Sequence, residues 1–476
     1  MFLDKLLNDV EILEKRGEGN PDISCVGYNS GEISDGGLFV AIEGFKTDGH
    51  KYVKSAVENG ARAIVCTKFT DDVDAIQIRV PDSRIAEAKI SANFFGNPLD
   101  KLRLIGVTGT NGKTTVTYLT KHILDSLGYK TALIGTNQNI IGSKVYETGR
   151  TTPDAFELQS LFAKMADESV DYVIMEVSSH ALELNRVYGC TYEVGAFTNL
   201  TQDHLDFHET MDNYMRAKAK LFEISKTAVI NADDMYGKKM ISSCPCALTS
   251  YGREEGAALS AKDIKLNQDG VSFNLNGNEF TLAIPGEFSV YNALCAIGIC
   301  KNLGIDEKDI LSSLATASGV KGRAEVVYTG NSDYTVMIDY AHTPDGVENI
   351  LKTARGFAKG RVVILFGCGG DRDATKRKIM GRIAGSLADF CIITSDNPRT
   401  EEPMKIISMI EEGAKETNTP YIVIENRYEA IKYALLNAKK DDVIILAGKG
   451  HETYQILNTG TIHFDEREVV REILGI

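Results

Sequence analysis

No apolar run in this 476-residue chain approaches the ~18 residues that a helix needs to cross a bilayer, so membrane insertion is not expected. Cysteine pairs at CxxC spacing are also missing. Nine cysteines, an odd number, stand at 25, 66, 190, 244, 246, 295, 300, 368 and 391 in a chain too long to need disulfide staples, and free thiols in a cytosolic protein are the expectation. Basic charge is in deficit: 52 Lys and Arg against 66 Asp and Glu give a net −14, which removes the sequence-independent attraction of a nucleic-acid or anionic-membrane binder. An anionic ligand must then be held by a few local cations. There is no repeat at a period of 20 to 50 residues and no low-complexity tract.

What is present is a globular composition, 43% hydrophobic and 25% charged, in a length worth roughly three domains at about 150 residues each. The first segment, MFLDKLLNDVEILEKRG, lacks a basic stretch and a cleavage site. It reads as a short amphipathic helix, and a cytoplasmic location follows.

Three blocks succeed one another. In the first, residues 1–98, strands over LFVAIEG and ARAIVCTK flank a helix near Tyr52 to Asn59, and a boundary falls at Asn97-Pro98, where proline stops the preceding helix. The second, 99–324, alternates apolar strands with helical patterns, which implies a mostly parallel sheet. Within it, between about 245 and 285, the pattern shifts to alternating residues and turn pairs (DIKLNQDGVSFNLNGNEFTLAI), which predicts antiparallel hairpins appended to that sheet. The third, 325–476, alternates again, with Val/Ile/Leu-rich strands suited to a sheet buried on both faces. The expected fold class is α/β in three domains, the central one a P-loop unit.

The strongest local signal is Val107 to Thr115, between an apolar strand and a helix. Gly109 and Gly112, with Thr110 and Asn111 between them, let the backbone approach an anion closely, and the helix start offers unpaired amides. Lys113 can reach β/γ phosphates, Thr114 can join a Mg²⁺ shell, and Thr115 continues the helix start. The strict phosphate-loop pattern has glycine where this chain has Val107, and Gly109 supplies the flexibility instead. A nucleoside triphosphate is the implied ligand. Glu176 at the end of a strand and His204 beyond the next one are candidates for the metal, since strand ends face the ligand crevice of an α/β sheet.

With TGTNGKTT, MEVSSHAL, FTNLTQDHLDFH, NYMRAKAKLF, NADD, GEFSVYNALCA, GRAE, DYAHTPD, GCGGDRD, DNPRTEEP and GKGHE in this order, the chain resembles the Mur ligases, ATP-dependent amide-forming enzymes of peptidoglycan precursor synthesis. The resemblance runs from about residue 30 to 455. It implies an N-terminal UDP-binding domain, a central ATPase and a Rossmann-like C-terminal domain that brings an amino acid. Within the family the motifs most resemble those of the member that adds the third amino acid to UDP-MurNAc-L-Ala-D-Glu, through an acyl phosphate formed from ATP.

The residue roles that follow are implied by this resemblance. Lys113, His204 and Lys218 carry the catalytic step. Lys218, four residues after Tyr214 and so on the same helix face, is carbamylated by CO₂, which turns a cation into an oxygen donor for Mg²⁺ beside Thr114, Glu176 and His204. Asn292, Arg323 and Asp339 contact the nucleotide, and His342 approaches it. Ser30, Thr151, Thr152, Ser178 and Arg186 hold the UDP-MurNAc-dipeptide. Two departures lie nearby: Asn29-Ser30-Gly31 replaces a frequent Asp-Ser-Arg, and Leu184 stands where some members have glutamine. For the amino acid, Asp396-Asn397-Pro398-Arg399 reads as the meso-diaminopimelate version of its motif, because arginine can meet the far carboxylate bidentately. Arg372 holds another carboxylate, and Glu452 with the Gly448 carbonyl takes the distal ammonium. A monomer is expected. The alternatives are an L-lysine-adding member, a folylpolyglutamate synthetase, which should lack DNPR and GKGHE, a nucleotide-driven switch or motor, and an inactive scaffold.

Overall fold

The structure, a computed structural model, describes residues 1–44, 47–267 and 270–476. Its contacts divide the chain into two compact units, one of residues 1–108, 128–195 and 217–226, the other of 109–127, 196–216 and 227–476.

The first unit opens with a five-stranded sheet in the order Glu14–Arg16, Ile76–Arg79, Ala61–Cys66, Gly37–Val40, Cys25–Gly27. All neighbours are parallel except the edge pair Glu14–Arg16 with Ile76–Arg79. Alternate side chains bury on opposite faces, Leu38, Val40, Ala63 and Val65 on one and Phe39, Ala41, Ile64 and Cys66 on the other, as a parallel sheet covered on both sides requires. Asp82 accepts from the amides of Arg84 and Ile85 to start the helix Ser83–Phe94. That helix stops ahead of Asn97, which takes a left-handed conformation before Pro98. The amphipathic helix expected over the first 17 residues is a single turn, Leu3–Leu6. Asp9, at φ 59°, redirects the chain, and Glu14–Arg16 joins the sheet edge instead. A second set of strands in this unit places Tyr172–Glu176 between Arg103–Thr108 and Thr131–Ile134, all parallel. Asn139–Ile141 and Lys144–Tyr146 follow antiparallel.

In the second unit the helix Lys113–Ser126 packs on Glu287–Asn302, the apolar helix that the sequence predicts. The stretch expected to form appended hairpins divides. Ala247–Gly252 and Leu259–Ser260 extend a parallel ladder from Thr227–Asn231, while Lys262–Asn267, Gly270–Leu275 and Asn278–Leu282 make a separate antiparallel sheet. Asn276 and Gly277, at φ 54° and 87°, close the second hairpin as a primed turn matched to strand twist. Gln268 and Asp269, part of the other expected turn, lie outside the described residues.

The six-stranded sheet of this unit runs Glu325–Val327, Thr335–Asp339, Val443–Ala447, Val362–Phe366, Phe390–Ile393, Tyr421–Val423, parallel after its first strand. The blocks DYAHTPD, GCGGDRD, DNPR and GKGHE each follow the carboxyl end of one of these strands, where open α/β sheets bind ligands. Behind two of them lies the fully buried pair Arg427–Glu466, 2.7 Å apart. Arg427 also donates to the carbonyls of Ala447 at 2.8 Å and Ser395 at 3.4 Å. Among the described residues no helix is long and apolar enough to cross a membrane.

Candidate active site

The phosphate loop is held by a second loop that carries no glycine. Thr110 N donates to the Asn199 carbonyl at 2.8 Å and Asn111 N to Asn199 Oδ1 at 2.9 Å, while Thr198 Oγ1 donates to the Asn111 carbonyl at 2.6 Å. A Cβ on Gly109 would overlap Thr198 Oγ1, and one on Gly112 would lie 2.5 Å from Asn292 Oδ1. Both glycines have positive φ, 145° and 85°, so closeness and conformation demand them together. Lys113 Nζ folds back on the carbonyls of Gly109 at 3.0 Å and Thr110 at 2.9 Å. Thr114 and Thr115 are buried in the first helical turn. Thr198 and Asn199 escaped sequence reasoning because they lie about 90 residues from the loop they brace.

Beside this loop is a cavity of about 460 Å³. Asn111, Gly112, Thr115, Asn292, Arg323 and Asp339, all predicted nucleotide contacts, line it. Arg323 Nη2 donates to Thr114 Oγ1 at 3.0 Å, its guanidinium lies 4.8 Å from the Tyr340 ring centre, and its buried Nε has no hydrogen-bond partner among the described residues. A cation with spare donors fits a polyphosphate. Asp339 Oδ2 accepts from Ala324 N at 2.6 Å. Burial raises the Asp339 carboxyl, against the pull of Arg323. His342 gives Nδ1 to the Tyr340 carbonyl at 2.8 Å, and burial pushes it down to about 4, so it is neutral at pH 7. Asp345, also on the cavity wall, accepts from Asn111 Nδ2 at 2.6 Å. His204, at φ 54°, sits where the chain enters the turn Leu205–His208, 3.4 Å from Asp203, which also meets Lys376 at 3.6 Å. Lys376 could not be foreseen, since no motif spacing links it to Asp203.

Of the four predicted metal ligands, Thr114 and His204 belong to this unit and Glu176 and Lys218 to the other. Glu176 is fully buried, with Oε1 accepting from Thr136 N and Oε2 from Thr136 Oγ1, both at 2.9 Å. Among the described residues no basic side chain pairs with it. A buried carboxylate served only by neutral donors is a donor set that fits a hard cation. Lys218 is buried in the helix Met211–Glu223, as is Tyr214 one turn earlier. Lys220, two residues on, turns away to Glu183 at 2.7 Å.

The first unit also contains the predicted sugar-nucleotide residues, and it links Thr152, Ser178 and Arg186 directly. Thr152 Oγ1 donates to the Glu176 carbonyl at 2.8 Å and accepts from Ser178 N at 3.0 Å, and Thr151 Oγ1 lies 3.0 Å from Thr136 Oγ1. Arg186 reaches the Thr152 carbonyl at 3.1 Å and Asp154 at 3.0 Å. Asp154 also pairs with Arg150 and accepts from Tyr28 OH at 2.7 Å. Burial lowers Arg186 to about 10, with Arg150 and Arg84 adding repulsion. Glu87, buried with Oε1 unpartnered among the described residues, is pushed up to about 7 by burial against the attraction of Arg84, Arg186 and Arg150. Ser30 starts a short 3₁₀ turn, its carbonyl accepting from Asn59 Nδ2 at 2.8 Å, and Asn29 turns inward to Gly31 N at 3.1 Å.

The amino-acid motifs converge in the second unit. Asn397 Nδ2 donates to Glu452 Oε2 at 2.9 Å. Gln455 Nε2 donates to the Asp396 carbonyl at 2.6 Å. Pro398 is buried. Gly448 takes φ 114°, and a Cβ there would lie 2.5 Å from Asp396 Oδ2. Arg399, at φ 54°, donates through Nη1 to the Gly370 carbonyl at 2.9 Å, and Arg372 through Nη1 to the Asp371 carbonyl at 3.0 Å. Among the described residues neither guanidinium has a carboxylate partner. Arg377, by contrast, is matched by Glu401 at 2.8 Å.

Comparison with known proteins gives three family matches: the Mur ligase middle domain over residues 107–300, the Mur ligase glutamate ligase domain over 322–450, and the Mur ligase family catalytic domain over 22–95. A protein of Caldanaerobacter subterraneus subsp. tengcongensis named UDP-N-acetylmuramoyl-L-alanyl-D-glutamate--2,6-diaminopimelate ligase is 52% identical, covering 97% of both chains. A Clostridium acetobutylicum protein of the same name, numbered 1, is 50% identical over 100% of this chain and 99% of its own. A solved structure titled as this ligase superposes with TM-score 0.66 at 31% identity over 95% of each chain.

Proposed function

The chain belongs to the Mur ligase family, and from that premise we propose that it joins 2,6-diaminopimelate to UDP-N-acetylmuramoyl-L-alanyl-D-glutamate with hydrolysis of ATP to ADP and phosphate, a step of peptidoglycan synthesis. The observation that carries the choice of amino acid is the pair Arg372 and Arg399, cations without carboxylate partners among the described residues of a chain with net charge −14. Beside them Glu452 offers an anion. Two carboxylates and a distal ammonium match that arrangement, with the meso isomer as the form read here. L-Lysine would leave one guanidinium without its anion. Residues 1–98, 99–324 and 325–476 are read as the UDP-binding, ATP-binding and amino-acid-binding domains.

In this reading Arg186, Thr151, Thr152, Ser178 and Ser30 orient the nucleotide sugar. Amides at the helix start, from Gly112 to Thr115, and the Lys113 ammonium hold the triphosphate, and Arg323, Asn292 and Asp339 hold the rest of the nucleotide. The γ-phosphoryl passes to the D-glutamate carboxylate, the amine attacks the acyl phosphate carbon, and phosphate leaves. Mg²⁺, whose ligands the family resemblance takes to be Thr114, Glu176, His204 and Lys218, would neutralise charge on the transferring oxygens. A neutral His342 suits a site that must not compete with the phosphates for protons. The burial of Lys218 supports its carbamate form: an ammonium there is costly and repels a metal. Lys218→Ala with normal turnover and no response to short carboxylates would remove that role. The reading also makes the protein a cytoplasmic monomer. Nine free thiols support the compartment, and sedimentation tests the oligomeric state.

The deciding experiment measures phosphate release with UDP-MurNAc-L-Ala-D-Glu and ATP, adding meso-diaminopimelate, L-lysine or no amine. Release should depend on diaminopimelate. Release indifferent to the amine overturns the ligase reading, and equal use of L-lysine overturns the selectivity.

A further inference from the structure

Lys449 is fully buried, at 0% exposure, and no role in the reaction has been given to it. Its Nζ donates to Glu452 Oε2 at 2.9 Å and to Asn397 Oδ1 at 3.1 Å, and it stands 5.7 Å from the Tyr454 ring centre. Asn397 Nδ2 in turn donates to the same Glu452 oxygen, so three side chains close a ring. Asn397 Oδ1 also accepts from Ile456 N at 3.0 Å, which settles which way the amide points. Glu452 Oε2 is thus used twice, while Oε1 makes no hydrogen bond among the described residues. A buried lysine is retained at a cost unless its charge is needed where it sits.

We propose that Lys449 is a positioning and specificity-determining residue for the amino-acid substrate, fixing the Glu452 carboxylate so that one oxygen stays free for the distal ammonium. The inference rests on the reading of this pocket as the diaminopimelate site.

The charges around Glu452 show why a cation is needed. Asp396 and the hydroxyls of Tyr340 and Tyr454 face it from three other segments, and Arg399 faces Tyr454. Burial and Asp396 both favour the protonated acid, and Lys449 is the main opposing charge. Without it, burial and Asp396 push the Glu452 carboxyl further up, and the protonated acid has no attraction for an ammonium. Proton uptake is reversed as pH rises, so the defect of a Lys449 variant should shrink in alkaline solution.

The test compares wild type with Lys449→Met, Glu452→Gln and the double variant in steady-state kinetics from pH 6.5 to 9.5, with folding checked by thermal melting. For Lys449→Met, KM for diaminopimelate should rise about tenfold or more at pH 7, with KM for ATP and for the nucleotide sugar within about twofold. The ratio to wild type should fall toward one at high pH. In the Glu452→Gln background the Lys449→Met change should add no more than about a twofold loss, because the carboxylate it serves is gone. That comparison needs only Glu452→Gln and the double variant, so it stands even if Lys449→Met alone does not fold. An unchanged KM for diaminopimelate, a defect independent of pH, equal rises for all three substrates, or a further tenfold loss in the Glu452→Gln background each overturns the inference. Wild-type phosphate release without amine dependence would overturn the pocket assignment and this inference with it. Amine-dependent wild-type turnover with an indifferent Lys449→Met overturns the inference alone.

Discussion

Asn111 of the phosphate loop donates its side-chain amide to Asp345 Oδ2 at 2.6 Å, across 234 residues of sequence. Asp345 lies in the first turn of the helix Pro344–Phe357, so the bond ties the nucleotide loop to the block DYAHTPD. Asp345→Ala leaves the half-buried Asn111 amide only a long 3.5 Å bond to Thr201 Oγ1, a loss of about 1–3 kcal/mol. KM for ATP should rise about tenfold. Asp345→Asn still offers an acceptor and should stay within about threefold, as steady-state kinetics will show.

Arg323 gives Thr114 its hydrogen bond and presents further donors to the cavity. Arg323→Ala should weaken ATP by about tenfold or more, measured by calorimetric titration. Arg323→Lys should recover little of this. A single ammonium cannot replace a planar fork that holds Thr114 and faces the phosphates together.

Gly112→Ala should abolish nucleotide binding, by at least about 100-fold. The added carbon would lie 2.5 Å from Asn292 Oδ1 at a backbone angle of φ 85°. Left-handed geometry alone costs about 1–2 kcal/mol, and the collision comes on top. Gly128 is the control, with φ 87° and nothing within 4 Å of its Cβ. Gly128→Ala should lower the melting temperature slightly and leave ATP affinity intact.

Glu87 makes stability depend on pH in an unusual direction for an acid. Its carboxyl titrates near 4.5 when unfolded and is pushed up to about 7 in the fold. Between these values the folded chain binds more protons, so stability is full below about 4.5 and is lost as pH rises through about 7. The contribution is about 3 kcal/mol at roughly 1.4 kcal/mol per pH unit. Glu87→Gln should remove that slope and be more stable than wild type at pH 8 in urea unfolding. A steeper decline in the variant would contradict the assignment.

Much of the architecture was legible because buried parallel strands write themselves as runs of Val, Ile and Leu. LFVA, VILF and VIILA each fall within or on a strand. The first 17 residues misled for a physical reason: alternation of acids with apolar residues suits an edge strand as well as a helix, and Asp9 can take the left-handed turn that separates them. The loop glycines were legible because geometry forces them. The braces of the site were not. Thr136 under Glu176, Asn199 under Asn111 and Lys376 beside Asp203 act through contacts 40 to 173 residues distant, where no local period or turn rule applies. A threonine that donates two hydrogen bonds to a buried carboxylate looks, in sequence, like any other threonine after a strand.

The helix Glu466–Leu474 carries none of the motifs, yet its first residue anchors Arg427, and Arg427 clasps the carbonyls of Ser395 and Ala447. Those two carbonyls immediately precede Asp396 and Gly448. In the proposed reading, selectivity for an amino acid is therefore inherited in part from a helix that carries none of the substrate motifs. Transplanting the DNPR and GKGHE loops into a relative lacking this buried pair would carry over the letters without the angle at which they meet, so redesign of the pocket has to begin one layer beneath it.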